Sequence, residues 1–593
     1  MIHKMRTNVE LILLLAVALS CSCAGAKAQA AVQGTYTGAN SADPWWKHAV
    51  IYEIYPRSFQ DSNGDGLGDI NGIISRLDYL KDLGVDAIWI SPMYPSPQVD
   101  FGYDISDYEA IDPQFGTMAD MERLFVEAKK RNIRVVMDMV LNHTSDQHPW
   151  FLDAASSRLS PKHYWYVWND GKPGSGPDCH EGRVPPNNWR SIFGGSAWEW
   201  VPAVHQFYYH EFYKQQPDLN WRNPAVEKAM DNVLQFWLDR GVAGFRLDAI
   251  PSLFEDAQLR DEKQIGGLNA YGDPILSREY TDNLSEDHVV IKHLQGLMAK
   301  YPGDRVLIGE TYLPTTAALD KWYGGADHDE LNLAMDMLLG FSIKFDATVF
   351  RKYIEEAETE LHGSQPLFVF NNHDNPRAID RYGDGVHNVE IGKVLAAVLL
   401  ASRATPLLYE GEEIGMVTTP PARREDVKDP VGRAGWPKDK GRDGERTPMQ
   451  WDDTANAGFT ALNATPWLPI PPSSKTQNVK VEAADPDSIL NWYKSLIALR
   501  RTNPSLRDGS HVLLDAGNSN ILAWIRQSAG GHAVIVICNF SAKEQMAAFH
   551  LSEHGIQAGH VRALLKTKGQ ADVISLNAVV LSPFGVYLGE LEE

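Results

Sequence analysis

Short apolar runs alternate with longer amphipathic stretches between residue 45 and about residue 505. The short runs are rich in β-branched and aromatic residues, which is typical of buried strands, and the longer stretches repeat apolar positions every three to four residues, as helices do. The predicted strands are Val50–Tyr55, Ala87–Ser91, Arg134–Val140, Gly244–Asp248, Val306–Gly309, Leu331–Met337, Pro366–Phe370 and Thr405–Tyr409. The predicted helices are Ile73–Leu83, Met118–Arg131, Ala225–Arg240, His288–Lys300, Thr315–Trp322, Val349–Leu361, Ile391–Ser402 and Ser488–Arg501.

Eight strands, each followed in turn by a helix, form the pattern of an α/β fold of the (β/α)₈ TIM-barrel type. A doubly wound open sheet is the alternative, but that fold usually has fewer units and a glycine-rich first turn. No G-x-G-x-x-G sequence follows the strand Val50–Tyr55. The alternation therefore favours a closed barrel, formed by residues 45–144 and 221–504.

One connection is much longer than the others. About eighty residues, 142–222, separate the third strand from the third helix, and they contain seven of the seventeen tryptophans. A loop of this length in a compact barrel is usually functional, and it would lie on the face where barrel active sites are found. We therefore predict a lid domain inserted at residues 145–220. Its aromatic side chains either stack on ligands or, more often, fill the lid's own core.

The helical pattern stops after residue 505, and β-rich runs separated by polar turns replace it. This pattern predicts a C-terminal β-sandwich domain over residues 505–593. The predicted strands are His511–Leu514, Ile521–Arg526, Ala533–Asn539, Gln545–Leu551 and Val573–Leu588.

The N-terminal residues 1–30 have the features of a secretory signal. Lys4 and Arg6 precede the apolar stretch Leu11–Leu19, and two overlapping A-x-A cleavage patterns follow within Ala26–Ala30. The apolar stretch is too short for a typical membrane span, although a retained N-terminal anchor is the alternative. We therefore expect a periplasmic or extracellular protein without a membrane span in its mature part.

The four cysteines give little support for a disulfide framework. Cys21 and Cys23 lie inside the predicted signal, where a lipid-anchored form is the alternative to cleavage, and only Cys179 and Cys538 remain in the mature part. Two cysteines allow one disulfide at most, whereas small secreted folds that depend on disulfides carry several.

Composition narrows the classes of function. Hydrophobic residues make up 44% of the chain, which is ordinary for a globular protein and excludes wholesale disorder or a collagen-like fibre. The 55 Lys and Arg residues against 77 Asp and Glu residues give a net charge of −22. Nucleic-acid binding depends on clustered basic residues, so this balance argues against a nucleic-acid partner. We expect small-molecule substrates and a monomer or dimer.

Acidic, basic and imidazole groups lie at or just after the ends of four predicted strands. Asp248, Glu310 and Asp374 follow the fourth, fifth and seventh strands, whose ends converge on one face of a closed barrel. Carboxyl groups held close together titrate at different pH values, so one stays protonated as an acid while another stays ionised as a nucleophile. Arg246 faces the same side of its strand as Asp248 and would keep that aspartate ionised. The arrangement suits glycoside cleavage by two carboxyl groups, with a metal-dependent hydrolase or plain structural ion pairs as alternatives.

The motifs around these residues resemble those of the α-amylase family of glycoside hydrolases, family 13. The matching segments, in the family's order, are DMVLNHT (138–144), QPDLN (216–220), GFRLDAI (244–250), IGET (308–311) and FNNHD (370–374). The resemblance implies that Asp248 is the nucleophile, Glu310 the general acid/base and Asp374 the carboxylate that binds the sugar in the transition state. It also implies further groups of the subsite that binds the non-reducing-end glucose: Asp100, Tyr103, Asp138, His143, Arg246 and His373.

Three further segments resemble the exo-acting α-glucosidases within this family, which are related to maltases and oligo-1,6-glucosidases. They are YEIYPRSF (52–59), QPDLN and GRDGERTPMQW (441–451). In that subgroup an arginine of the last segment closes the pocket, and we expect Arg442 in this role, with Arg446 as the competing choice. The residue after the nucleophile is Ala249, which in the resembled enzymes accompanies α-1,4 preference, whereas valine accompanies α-1,6 preference. Transglycosylating relatives, such as sucrose isomerases or trehalose synthases, and non-enzymatic transporter partners are the alternatives.

The segment DSNGDGLGD (61–69) carries oxygen donors at alternate positions with glycines between them. Such a loop suits a hard cation, although a solvated Asp/Gly turn is the alternative. In the resembled α-glucosidases this loop holds Ca²⁺ away from the active site, through Asp61, Asn63, Asp65, the Leu67 carbonyl and Asp69. We therefore predict a structural calcium ion and no organic cofactor.

Overall fold

The computed structural model describes residues 43–342, 344–556 and 558–592. The predicted signal peptide at residues 1–30 lies outside these ranges, so its cleavage and the localisation stay predictions. Within the described part of the chain, no helix is long and apolar enough to cross a lipid bilayer.

Eight parallel strands form a closed barrel, which confirms the predicted fold class. Strand β1 pairs with both β2 and β8, and this closes the sheet. The strands are β1 Ile51–Ile54, β2 Ala87–Ile90, β3 Arg134–Val140, β4 Gly244–Asp248, β5 Val306–Gly309, β6 Leu333–Asp336, β7 Leu367–Val369 and β8 Thr405–Tyr409. Each observed strand overlaps its predicted segment, because buried parallel strands are continuous apolar runs that the sequence displays directly.

The main helices lie where the amphipathic pattern predicted them. They are α1 Ile70–Leu83, α2 Met118–Lys130, α3 Pro224–Asp239, α4 Ser285–Met298, α5 Thr316–Lys321, α6 Ala347–Glu360, α7 Asn388–Ala401 and α8 Ile489–Thr502. Shorter helices in the connections cover Pro56–Phe59, Pro149–Ser156, Met337–Gly340, Ala378–Tyr382, Pro430–Gly435, Val479–Ala484 and Pro504–Asp508.

Helix α3 shows how local sequence sets the helix bounds. The Asn223 side chain accepts a hydrogen bond from the Ala225 amide, and Pro224 occupies the first helical position, where its missing N–H costs nothing. The face with Val226 and Met230 is buried against the barrel. The helix therefore begins at a cap and is held by its apolar face.

Close contact between β4 and β5 depends on a glycine. Gly244 has a φ of +153°, and a Cβ atom built on it would lie 2.0 Å from the Val306 carbonyl oxygen. No larger residue fits there without moving the strands apart. This close approach sets the register in which Arg246 and Ile308 lie side by side, so it places Asp248 and Glu310 at adjoining strand ends.

Residues 141–223, between β3 and α3, form a compact unit with its own sheet. Strands Trp168–Asn169, Gln206–Tyr209 and Trp198–Val201 pair in this order, and Lys172–Pro173 pairs with Arg183–Val184. Its buried aromatic cluster contains Trp189, Trp198, Phe207 and Tyr209. These four aromatic residues stabilise the unit's own core, whereas Phe151, Tyr166, Tyr208 and Trp221 belong to the large apolar cluster of the barrel. Strands Gln264–Leu268 and Pro274–Leu276, which the sequence pattern did not predict, pair as a hairpin after β4.

The C-terminal part contains a six-stranded antiparallel sheet and a two-stranded sheet, which share one apolar cluster. The strands are Ser510–Leu514, Ile521–Gln527, Ala533–Asn539, Gln545–Ala547, His560–Lys566, Val573–Ser575, Val579–Leu581 and Val586–Glu592. The single predicted strand Val573–Leu588 is three strands here, because turns follow Ser575 and Leu581. Strand His560–Lys566 was missed, since its polar residues obscure the apolar pattern.

Candidate active site

A cavity of about 670 Å³ opens at the carboxyl ends of the barrel strands. Eight of the eleven predicted catalytic and substrate-binding residues line it: Asp100, Tyr103, His143, Asp248, Ala249, Glu310, Asp374 and Arg442. The other three lie directly behind this lining. Arg246 contacts Asp248 and Glu310 directly, Asp138 contacts Arg246, and His373 precedes Asp374 in the chain.

Arg246 is the centre of the charged cluster. Its side chain is completely buried. The Nη1 atom donates hydrogen bonds to Asp248 Oδ1 at 2.6 Å and to Asp138 Oδ2 at 3.0 Å. The Nη2 atom lies 2.8 Å from Glu310 Oε1. Two nitrogens of one guanidinium therefore hold the Asp248 and Glu310 carboxyl groups next to each other. Because the guanidinium is rigid and planar, it also fixes their relative orientation.

The charges of this cluster do not balance when all its groups are ionised. Burial raises the pKa of Asp248 well above its ordinary value; Arg246 opposes this shift, and the neighbouring carboxyl groups of Glu310 and Asp138 add to it. Burial likewise raises the pKa of Asp138 to about 6, against the opposing charge of Arg246. One guanidinium cannot neutralise three carboxylates, so the cluster retains a proton that an acid catalyst can donate.

Asp374 has the opposite environment. Burial alone would raise its pKa, but the charges of His373, Arg442 and Arg446 lower the pKa well below its ordinary value. Arg446 donates to Asp374 Oδ1 at 2.7 Å, and Arg442 donates to the same oxygen at 3.1 Å. Asp374 is therefore held as an anion, which suits a group that accepts hydrogen bonds from a sugar.

The two candidate arginines of the segment 441–451 have different positions. Arg442 lines the cavity and bridges Asp374 to Asp100, with 2.6 Å between its Nη2 atom and Asp100 Oδ1. Arg446 lies behind Asp374 and is completely buried. Of the two, Arg442 has the position from which a side chain can touch a bound ligand.

Sequence reasoning missed a residue that holds Arg442 in place. Asp429 is completely buried and accepts hydrogen bonds from the Arg442 backbone N, Nε and Nη2 at 2.7, 2.9 and 3.0 Å. It is the N-cap of the short helix that begins at Pro430. The dipeptide Asp429-Pro430 signals a helix start, but nothing in the sequence connects it to Arg442.

His143 is neutral near pH 7. Burial lowers its pKa to about 3. Its Nε2 atom lies 3.1 Å from the Tyr103 carbonyl oxygen and 3.0 Å from Gln216 Nε2, and Gln216 also donates to Asp100 at 3.3 Å. The QPDLN segment thus contributes Gln216 to the cavity wall, a contact that the motif did not specify.

The turn after β4 links the two central carboxyl groups through the backbone. Ala249 has a φ of +45°, in the left-handed region that costs a non-glycine residue about 1 kcal/mol. In this conformation its N–H donates to Glu310 Oε2 at 3.0 Å. The turn therefore orients Glu310 while it carries the side chain of Ala249 into the cavity lining.

The loop 61–69 lies outside this cavity. Asp61 accepts hydrogen bonds from the amides of Asn63, Gly64 and Gly66 and from the Thr460 hydroxyl, and Asp69 caps α1 through the Gly72 amide. Asp65 and the Leu67 amide are joined by a similar bond. Among the described residues, no group of three or more His, Cys, Asp and Glu side chains converges as a metal site. The loop has the predicted oxygen atoms, but its carboxylates face its own amides, so the side chains do not form a ready cation cage.

Comparison with known proteins identifies the family. The sequence model of the alpha-amylase catalytic-domain family matches residues 53–509. The chain therefore belongs to this family of glycoside hydrolases, in its α-glucosidase subgroup. An oligo-1,6-glucosidase of Parageobacillus thermoglucosidasius is 42% identical over 86% of this chain and 92% of its own length. Maltase 1 of Drosophila virilis is 40% identical over 84% of this chain and 79% of its own length.

The solved structure of an alpha-glucosyl transfer enzyme named XgtA has a TM-score of 0.83 and 38% identity to this chain, and it covers 93% of this chain and 100% of its own. The fold, the site and these relatives together define a glycoside hydrolase of the α-amylase family.

Proposed function

We propose that this enzyme is a retaining α-glucosidase that releases glucose from the non-reducing end of short α-glucosides. The observation that carries the proposal is the contact of Asp248 and Glu310 with two nitrogens of the same arginine, at 2.6 and 2.8 Å. Retaining glycosidases need a nucleophile and an acid/base about 5–5.5 Å apart, so that both groups reach one glycosidic bond. The shared guanidinium keeps the two carboxyl groups close to each other, which supports this arrangement.

The reaction has two steps. In the reactive state the proton retained by the cluster is on Glu310, and Asp248 is ionised and held by Arg246. Asp248 attacks the anomeric carbon, the bond to the leaving oxygen breaks, and Glu310 donates its proton to that oxygen. In the second step Glu310 takes a proton from water, and the resulting hydroxyl group replaces Asp248 at the anomeric carbon. Glu310 is thereby protonated again, Asp248 leaves as the carboxylate, and glucose leaves as the α-anomer. Arg246 stabilises whichever of the two side chains is ionised.

Exo action is supported by the bridge that Arg442 makes between two carboxylates of the cavity lining. The bridge from Arg442 to Asp100 and Asp374 lies across the pocket wall, with 2.6 and 3.1 Å hydrogen bonds. We expect this bridge to block a further sugar beyond a glucose unit held against these three side chains. The enzyme therefore removes terminal units and does not cut within long chains.

A preference for α-1,4 linkages is supported by Ala249, which lines the cavity directly after the nucleophile. A small side chain at this position leaves room for the leaving sugar of a maltose-like substrate. We expect Ala249→Val to shift the ratio of maltose to isomaltose hydrolysis towards isomaltose. An unchanged ratio in a folded variant would remove Ala249 from the set of specificity residues.

The deciding experiment is a substrate panel of maltose, isomaltose, sucrose and trehalose, with products and anomeric form followed by NMR. Fast release of α-glucose from maltose supports the proposal. Initial release of β-glucose contradicts the retaining mechanism, and inactivity on the whole panel contradicts the proposed function. Activity lost to chelators and restored by zinc or manganese would instead indicate a metal-dependent hydrolase.

Glucosyl transfer is the second candidate function, because one structural relative is an alpha-glucosyl transfer enzyme. In that reaction an alcohol replaces water in the second step, with the same two carboxyl groups. A sucrose isomerase or trehalose synthase would give a rearranged disaccharide from sucrose or maltose, whereas a hydrolase gives free monosaccharides. The same panel therefore separates the two functions.

A further inference from the structure

A buried glutamate lies beneath the cavity and takes no part in the mechanism derived above. Glu53 lies on β1, is completely buried, and has its Oε1 atom 2.5 Å from His373 Nδ1. Its other oxygen, Oε2, makes no hydrogen bond within the described part of the chain. Leaving part of a carboxyl group buried without a partner costs free energy, so its retention here calls for a reason other than stability.

The ring of His373 cannot turn away from Glu53. It is stacked between Tyr55 and Tyr103, with ring centroids 5.4 Å away on each side and interplanar angles of 19° and 13°. Its second nitrogen, Nε2, makes no hydrogen bond among the described residues and lies 3.4 Å from Asp374 Oδ2. Asp374 lines the cavity. The two nitrogens of His373 therefore have separate surroundings, Glu53 on one side and the cavity carboxylate on the other.

The position of the proton between Glu53 and His373 Nδ1 decides whether Nε2 carries a proton of its own. The contact between Glu53 and Nδ1 requires one proton, which lies either on Glu53 or on Nδ1 of a doubly protonated ring. In both states the ring carries a proton on Nε2. The remaining state, an ionised Glu53 with a neutral ring protonated only on Nδ1, would leave Nε2 unable to donate. Burial raises the pKa of Glu53 well above its ordinary value, so a proton on Glu53 occupies the contact with Nδ1 and excludes this state.

We propose that Glu53 is a positioning residue that keeps a proton on His373 Nε2, so that this nitrogen donates a hydrogen bond to one hydroxyl group of the glucosyl unit held against Asp374. The assignment rests on the proposed function, since it needs a sugar in the cavity. Glu53 itself touches no substrate. It acts through the ring that lies between Tyr55 and Tyr103.

The test compares 4-nitrophenyl α-glucoside with its four monodeoxy analogues, each lacking one of the ring hydroxyl groups at positions 2, 3, 4 and 6. For the analogue that lacks the bonded hydroxyl group, we expect wild-type kcat/KM to fall about 10- to 100-fold. We call the ratio of kcat/KM for the parent glucoside to kcat/KM for an analogue the deoxy penalty of that analogue. In Glu53→Leu, which leaves Nδ1 without a partner, the penalty for the analogue that lacks the bonded hydroxyl group should fall towards one. The penalties for the other analogues should stay unchanged. Glu53→Gln should retain the penalty, because its amide N–H can donate to Nδ1.

A matched control is Glu413, another buried glutamate, which accepts hydrogen bonds from the hydroxyl groups of Tyr52 and Tyr79 at 2.8 and 2.6 Å. Glu413→Leu should lower the melting temperature and leave every deoxy penalty as in the wild type. A folded Glu53→Leu that lowers kcat/KM for all substrates in equal proportion would overturn the proposal. That result would show a structural role for Glu53 only.

If Glu53→Leu does not fold, neutron diffraction of the wild-type enzyme gives the answer directly. Nuclear density for a proton on His373 Nε2 is expected, and a bare Nε2 would overturn the proposal. Failure of the proposed function looks different: the wild-type enzyme would then not hydrolyse the parent 4-nitrophenyl α-glucoside at all.

Discussion

At the scale of single residues, the site depends on two opposite electrostatic environments a few ångströms apart. Around Arg246, three carboxyl groups share one positive charge, and the pKa values of Asp138 and Asp248 are raised. Around Asp374, two guanidinium groups face one carboxylate, and its pKa is lowered. The cavity therefore contains both a cluster that retains a proton, around Arg246, and a carboxylate that stays ionised, Asp374.

Asp248→Asn should lower kcat by about three orders of magnitude or more, because the amide cannot form the covalent intermediate. The melting temperature should change little, since asparagine can still accept a hydrogen bond from Arg246. Single-turnover kinetics with 4-nitrophenyl α-glucoside measures the loss. Near-normal turnover would remove Asp248 from the nucleophile role. As a control, azide added to Asp248→Gly should give β-glucosyl azide, which only a missing nucleophile allows.

Arg442→Lys should raise KM for maltose about 10- to 100-fold, because an ammonium group cannot bridge three carboxylates as the planar guanidinium does. The matched control is Arg446→Lys, because Arg446 donates to the same oxygen of Asp374 but is completely buried and does not line the cavity. The main effect of this substitution should be a lower melting temperature. If Arg446→Lys raised KM while Arg442→Lys did not, the assignment of the two arginines would be reversed.

At the scale of elements, a buried ion cluster joins the barrel to the C-terminal sheet. Glu358 on α6 lies 2.8 Å from Arg403 and 3.0 Å from His511, which belongs to the first strand of that sheet. Burial opposes ionisation of Glu358, but the charges of Arg403 and His511 outweigh it and lower the pKa to about 2. The ionised carboxylate therefore holds a helix, a turn and a strand together.

This cluster predicts a pH-dependent stability. Because the pKa of Glu358 is lower in the folded than in the unfolded chain, its contribution is complete above about pH 5 and is lost as pH falls towards about 2. Glu358→Gln should therefore lower the free energy of unfolding by about 1–3 kcal/mol at pH 7. The difference from the wild type should shrink steadily below pH 4. Denaturant titrations between pH 3 and pH 8 measure it, and a difference that does not depend on pH would contradict the assignment.

At the scale of the whole molecule, one surface loop ties distant parts of the chain together. The loop 61–69 caps α1 through Asp69 and contacts Thr460 through Asp61. We propose that Ca²⁺ binds here after its carboxylates turn from the loop amides, and that it stabilises the fold without taking part in the reaction. Secretion and a monomeric or dimeric state stay predictions at this scale.

Calcium should raise the melting temperature by about 2–4 °C and leave kcat unchanged. Asp65→Ala should abolish the shift. Asp107→Ala is the matched control, because Asp107 is an exposed aspartate that accepts a similar local hydrogen bond from the Glu109 amide, and it should keep the shift. Chelation that abolished turnover without lowering the melting temperature would contradict a structural role.

The sequence by itself determined the barrel, because the spacing of apolar residues along the chain shows which residues of a strand or helix are buried. It also placed the three carboxyl groups, since strand ends of a closed barrel converge. Only the tertiary structure decided which partner each charged group has. Glu53 lies 320 positions from His373, and Arg442 lies 342 positions from Asp100. Such contacts depend on the angles between elements and on long loops, and no local pattern records them.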